Sequence, residues 1–335
     1  MAHQRLRQQE TVPENVKRIM LEQLDRSIDR LSSKTGSKDR AIHDGRVCFK
    51  KVRAMLRLVR FEIGEETFKE ENAFYRDAGR ELATLRDTAV VADTLKKLVQ
   101  DFAEHYAATD LKWLRKQLMS SCIGRRVDRK EVLQKVAKSV GSSRERVKSF
   151  PLNLDSFFAV GPGLQSVYRK GRKCFEAARR EPVAENLHEL RKQVKHLSYQ
   201  ISVLNPIWPR MLEAHAFELQ RLSEYLSEDH DLVLLKSSVF EQAELHSQLE
   251  DGESLLAVIG LRREQLQKKA MALGARLFAE KPKDFIGRFQ TYWQEWRPNA
   301  VAGAPLAIQM TLAEAQASSI EPSGAKASAA TEPGG

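Results

Sequence analysis

Apolar residues along this chain recur at intervals of three and four, and no stretch alternates with period two between turn residues, so the pattern predicts an all-α protein. Breakers mark the joints. Pro13 sits where the first helix opens, Gly64 where the second closes, and Pro206 and Pro209 interrupt the later half. The stretch from Gly141 to Gly163, which holds Ser142, Ser143, Pro151 and Gly161-Pro162-Gly163, reads as a connection (141–163) between a first helical half over 10–140 and a second over 164–297. Over 298–335 Ala, Ser, Gly and Pro replace large apolar residues, a composition that cannot offset the entropy of ordering, and a disordered tail is expected there.

Two segments depart from the ordinary amphipathic pattern. In AIHDGRVCFKKVRAMLRLVR, the residues His43, Arg46, Lys50, Arg53, Arg57 and Arg60 follow one another at steps of three and four. At about 100° per residue they share a sector of roughly 100°. Ile42, Val47, Cys48, Phe49, Val52, Met55, Leu56, Leu58 and Val59 fill almost all the remaining circumference, so this helix is expected to be central rather than superficial. The later segment NLHELRKQVKHLSYQISVL repeats H-x-x-R-x-x-x-K at His188, Arg191 and Lys195, each 145 residues after its counterpart. Arg86-Asp87 and His230-Asp231 form a second correspondence, 144 residues apart. Two matches in the same order at nearly one offset indicate a duplication into paired halves. The copies are unequal, because Ser198 and Ser202 stand where Arg53 and Arg57 stand in the first half. The preceding YRKGRK run, with Arg169, Arg172 and Lys173 on one face, is expected to supply part of the missing charge.

Charge sharpens this picture. Lysine and arginine number 55 against 45 acids, a net +10. Residues 41–60 and 165–196 each carry a local excess of +5, so the other 283 residues form a neutral scaffold. Like charges meet at every step of the first stripe, where each pair costs ~0.2–0.5 kcal/mol and the five together roughly 1–2.5 kcal/mol in the unliganded helix. A helix apolar on three sides and basic on the fourth is expected to line an internal cleft or pore that takes a polyanion: nucleic acid, acidic lipid or a phosphate polymer. No apolar run reaches the roughly 18 residues of a membrane span, MAHQRLRQQE lacks the apolar middle of a secretory signal, and Cys48, Cys122 and Cys174 form neither a disulfide framework nor a zinc knuckle. A cytoplasmic protein is expected.

These residues resemble the CHAD domain, the conserved-histidine α-helical domain. The likeness spans roughly 10–297 and rests on the stripe from His43 to Arg57 and on the linked YRKGR and LHELRKQVKHL segments, with LRD at Leu85–Asp87 and AEKPKDF from Ala279 in support. The resemblance implies two four-helix units in pseudo-twofold relation around a basic central cavity or pore. It implies non-catalytic binding of inorganic polyphosphate, without cofactor or metal, and association with polyphosphate granules. Some family members carry a triphosphatase domain, whose E-x-E-x-K signature does not occur here. Carried over by position, the polyphosphate-contacting set is His43, Arg46, Lys50, Arg53, Arg57, Arg169, Arg172, Lys173, His188, Arg191 and Lys195.

Competing readings stay open at this level. A nucleic-acid binder would use the same charge, although the stripes lack the aromatic stacking platforms of single-strand binders beyond Tyr168 and Tyr199. A metal-dependent phosphohydrolase would use His43-Asp44 and His230-Asp231 as ligands. Against that stands the plainer expectation that Asp87 and Asp231 cap helix starts and pair with a nearby base. His43 and His188 are either packing residues or phosphate contacts; as contacts they would tighten binding as pH falls. Trp113, Trp208, Trp293 and Trp296 are expected to anchor helix packing.

Overall fold

The computed structural model describes residues 4–33, 35–85, 87–101, 129–246 and 250–298, and every regular element in them is helical. Arg86, Trp113 and Cys122 lie outside the described residues, as does the expected tail from 299 onward. Helix α1 (Val12–Ser32) begins on a capping box: the Thr11 hydroxyl accepts from the Glu14 amide while the Glu14 carboxylate accepts from Thr11 N at 2.8 Å, with Pro13 in the first turn. The Ser37 side chain caps α2 (Lys38–Leu58). The helix breaks at Val59, and a single turn, α3 (Arg60–Ile63), hands over at Gly64 to α4 (Glu65–Ala83). Gly64 adopts φ 84°, a conformation open to glycine without a steric cost, so it ends one helix and starts the next. Helices α5 (Asp87–Asp101) and α6 (Arg129–Lys148) complete the first half.

The second half comprises α7 (Gly161–Arg180), α8 (Ala184–Leu204), α9 (Pro209–His246), α10 (Glu250–Leu277) and α11 (Pro282–Trp296). Five long helices thus precede the joint and five follow it among the described residues, rather than four and four. The joint is also shorter than 141–163. Gly141, Ser142 and Ser143 lie within α6; Ser143 is buried, donating to Val140 O at 2.7 Å and accepting from the Tyr75 hydroxyl at 2.8 Å. These small residues continue the helix rather than mark a loop. Gly161-Pro162-Gly163 forms the first turn of α7, where proline's missing N–H costs nothing. Gly163 is glycine because α2 abuts it: a Cβ would sit 2.0 Å from Leu58 O. The connecting segment is therefore 149–160.

The two halves share one main core. Helix α2 packs on α1, α4, α7 and α8, which is the central position its wide apolar surface demands. Val52 and Leu56 of α2 meet the cluster that holds Leu197 and Ile201 of α8, and the buried Gln200 amide donates to Ala54 O at 3.0 Å across that contact. A second, smaller core joins Leu95 and Leu98 of α5 to Leu232 and Leu235 of α9 and Leu255 and Ile259 of α10. A helix of the first half thus docks on the second, and the halves interlock. Asp155 in the connecting segment ties the ends, accepting from Val12 N and from Arg297 at 2.8 Å.

Candidate functional site

Between the two cores α2, α4, α5, α7, α8 and α9 enclose a cleft of about 830 Å³. Eleven lysines and arginines border it against three carboxylates, Asp93, Glu189 and Asp231. From α2 come His43, Arg46, Lys50, Arg53 and Arg57; from α8 come His188, Arg191 and Lys195. The cause is geometric. Each helix buries its apolar face in the shared core, and because α2 and α8 lie against each other their basic edges open on the same space. Phe49 and Tyr75, both buried, close its apolar side.

Hydrogen bonds hold several of these cations in place without neutralising them. Arg53 Nε and Arg57 Nη1 both donate to Asn72 Oδ1, at 3.0 and 2.8 Å, and Arg57 also donates to Arg53 O at 2.8 Å. Arg191 Nε donates to Ser227 Oγ at 3.0 Å. Among the described residues, none of Arg53, Arg57, Arg191 and Lys195 forms an ion pair with a carboxylate. Burial, followed by repulsion from Arg191 and Lys50, pushes the Lys195 pKa down to about 7. Burial, with Arg53 and Arg60 adding to it, pushes Arg57 down to about 9. Arg53 and Arg191 shift downward for the same first reason. The His188 and His230 rings lie 4.7 Å apart; burial, with Arg191 next, lowers both, His230 to about 4.

The structure places some expected residues elsewhere. Arg169, Arg172 and Lys173 do not border the cleft: Arg169 meets Gln165 at 3.3 Å, and Arg172 Nε donates to Phe278 O at 3.1 Å. Burial of Tyr168 and the seating of Gly171 against Phe278 fix the rotation of α7, and Lys170 is the member of the run that reaches the cleft. Arg60 leaves the stripe with the break at Val59 and pairs with Glu65 at 2.6 Å. The sequence pattern did not single out four further cations that border the cleft, Arg76 and Arg80 of α4, Lys97 of α5 and Lys192 of α8, which pair with Asp77, Glu228 and Glu189. Arg76 and Arg80 sit four apart on one helical face, a signal that was present in the sequence; only the docking of α4 gives it meaning.

Asp231 does not stand at a helix start. It lies inside α9 and borders the cleft near Arg191 and Lys195. Its neighbours are engaged elsewhere: Glu228 pairs with Arg262 at 2.6 Å and with Lys97, and Asp229 pairs with Arg263 at 3.0 Å. Among the described residues no group of three or more His, Cys, Asp or Glu side chains is placed to hold a metal ion. Tyr168 is buried and stacked on Phe285 at 3.8 Å, and Tyr199 lies under Lys51 at 6.0 Å; neither borders the cleft. Trp293 is a core residue, whereas Trp208 is half-exposed with its ring against Tyr292 at 4.6 Å.

No described helix is long and apolar enough to cross a membrane. A family model described as CHAD domain matches residues 18–239, which reach from α1 into α9 and include both basic helices. No curated protein matches the chain.

Proposed function

We propose that this chain, which belongs to the CHAD domain family, binds inorganic polyphosphate in the cleft between α2 and α8 and does so without catalysis. The family is associated with polyphosphate binding. The observation that carries the reading for this chain is the convergence of two basic helix edges on one cleft whose fixed guanidinium groups rest on neutral oxygens. Polyphosphate carries about one negative charge per repeat and no base edges, so charge spacing and acceptor oxygens are all a protein can read. Arginine's planar fork can give two parallel bonds to one phosphate, while lysine contributes a compact charge. The α2 edge from His43 to Arg57 spans about 21 Å at 1.5 Å per residue, enough to follow several consecutive phosphates. We read the two halves as copies of one unit, each contributing one histidine-led edge.

Titration with polyphosphate of defined lengths tests this. Six to nine neutralised phosphates give a log–log salt slope of about −4 to −6 by analogy with single-stranded nucleic acid. An isotherm that does not change between low and high salt excludes the mechanism. Competition addresses the nucleic-acid reading: long-chain polyphosphate displaces RNA at matched phosphate concentration, and failure to do so puts RNA in its place.

A further inference from the structure

His196 stands one residue beyond Lys195 and off the basic edge of α8, so its spacing gives it no role. The fold gives it a particular environment. The ring borders the cleft, the residue is only 7% exposed, and Nδ1 is sealed from solvent with no hydrogen-bond partner among the described residues. The charges that act on it most strongly are positive: Arg57 and Arg53 from α2, Lys192 from its own helix and Lys170 from α7. The third helix packed on α8, α9, brings His230 and Asp231 to the same cleft beside Arg191 and Lys195. Buried polar atoms normally find a partner, and an orphan in a native site calls for an explanation.

We infer that His196 is a contact for the bound anion, met as an imidazolium, so that filling the cleft takes up a proton at this ring. The inference rests on the polyphosphate reading of the same cleft. In the empty protein, burial first and then Arg57 and Arg53 hold the imidazole neutral well below its usual titration range. A polyanion lying among Arg53, Arg57, Lys170 and Lys192 supplies what the ring lacks, acceptor oxygens and a compensating charge. The neutral ring has a single N–H, whereas the imidazolium donates from both nitrogens. The bound state then holds one more proton than the free state across the pH interval between the two titration midpoints. Affinity rises there as pH falls, by up to tenfold per pH unit for one proton. Arginine or lysine at this position would be a fixed charge with no such dependence; histidine makes retention of the chain conditional on pH.

Lys195, His43, His188 and His230 also occupy the cleft, so the test must report on one ring. Histidine side-chain NMR of the full chain is recorded from pH 4 to 8, with and without polyphosphate of defined length, and the His196 signal is identified by its disappearance in His196→Gln. Should that variant fail to fold, through-bond connection to the backbone identifies the signal in the wild type. The expected result is a midpoint below the ordinary 6.5 in the free protein and above it in the complex, with His196→Gln losing up to tenfold per pH unit of the wild-type dependence between pH 5 and 7. Polyphosphate that binds while the His196 midpoint stays where it was overturns the inference and leaves the function intact. Absence of polyphosphate binding at low salt overturns both.

Discussion

Two sets of cations in this protein differ in what they face. Outside the cleft, Arg263 holds Asp229 at 3.0 Å, Arg297 holds Asp155 at 2.8 Å, and the exposed Arg146 holds the buried Glu71. Inside it, Arg53 and Arg57 share the amide oxygen of Asn72, Arg191 has a serine hydroxyl, and Lys195 is pushed down to about 7 by burial and by its cationic neighbours. The first arrangement supports the fold, since breaking such a pair leaves a charge buried alone. The second opposes it. A neutral acceptor positions a guanidinium without neutralising it, which leaves the charge for a ligand. The fold thus separates cations that close its own structure from those that, on the proposed reading, meet a polyanion.

Reversing charge inside the cleft separates the two groups most forcefully. Arg46→Glu with Arg53→Glu is expected to weaken polyphosphate binding by about 100-fold or more, since each charge-assisted hydrogen bond to phosphate contributes ~1.5–3 kcal/mol, while the urea midpoint changes little. Asp229→Asn inverts the outcome: the unfolding free energy drops by about 3 kcal/mol in urea titration, and the affinity of the folded protein for polyphosphate is unchanged. Equal effects of both variants on both readouts would erase the distinction. Lys195→Met tests the cost of the held charge. The folded pKa of about 7 lies below the ordinary 10.5, so between those values the unfolded chain binds the proton that the folded chain gives up. Stability from this residue is complete above about 10.5, falls as pH drops to 7 and stays reduced below it. The variant is expected to melt ~2–4 °C higher than wild type at pH 7, with the gap closing toward pH 10, while binding weakens. The smallest effect concerns α7. Lys170→Glu is expected to reduce affinity about fivefold, and Arg169→Glu with Lys173→Glu less than twofold, because exposed charges off the cleft are screened. The opposite order would return the site to the face that the sequence pattern alone suggests.

How much of the site was legible follows from the same physics. The face formed by His43, Arg46, Lys50, Arg53 and Arg57 could be read directly, because helical periodicity fixes which side chains share a side and the apolar remainder fixes which side is buried. His188, Arg191 and Lys195 were legible by repetition. Arg169, Arg172 and Lys173 share a face as expected, but which face of α7 meets the cleft depends on Tyr168 and Gly171 seating against Phe278, a residue more than 100 positions away in the chain. Arg76 neighbours Asp77, with which it pairs at 2.8 Å, so it resembled ordinary surface charge. Gly141 and Gly163 carried the composition of a loop, yet both lie within helices, and Gly163 serves close packing against α2.

The sequence by itself determined that the chain is helical, that α2 is central, and that two segments carry the excess charge, because these depend on periodicity and composition over one or two turns. Only the tertiary structure decided that α4, α5 and α9 complete the cleft wall, that Asn72 and Ser227 hold the arginines, and that His196 lies buried among cations. Those outcomes depend on how helices rotate and dock on one another, and the energy that selects a docking is summed over a core drawn from the entire chain.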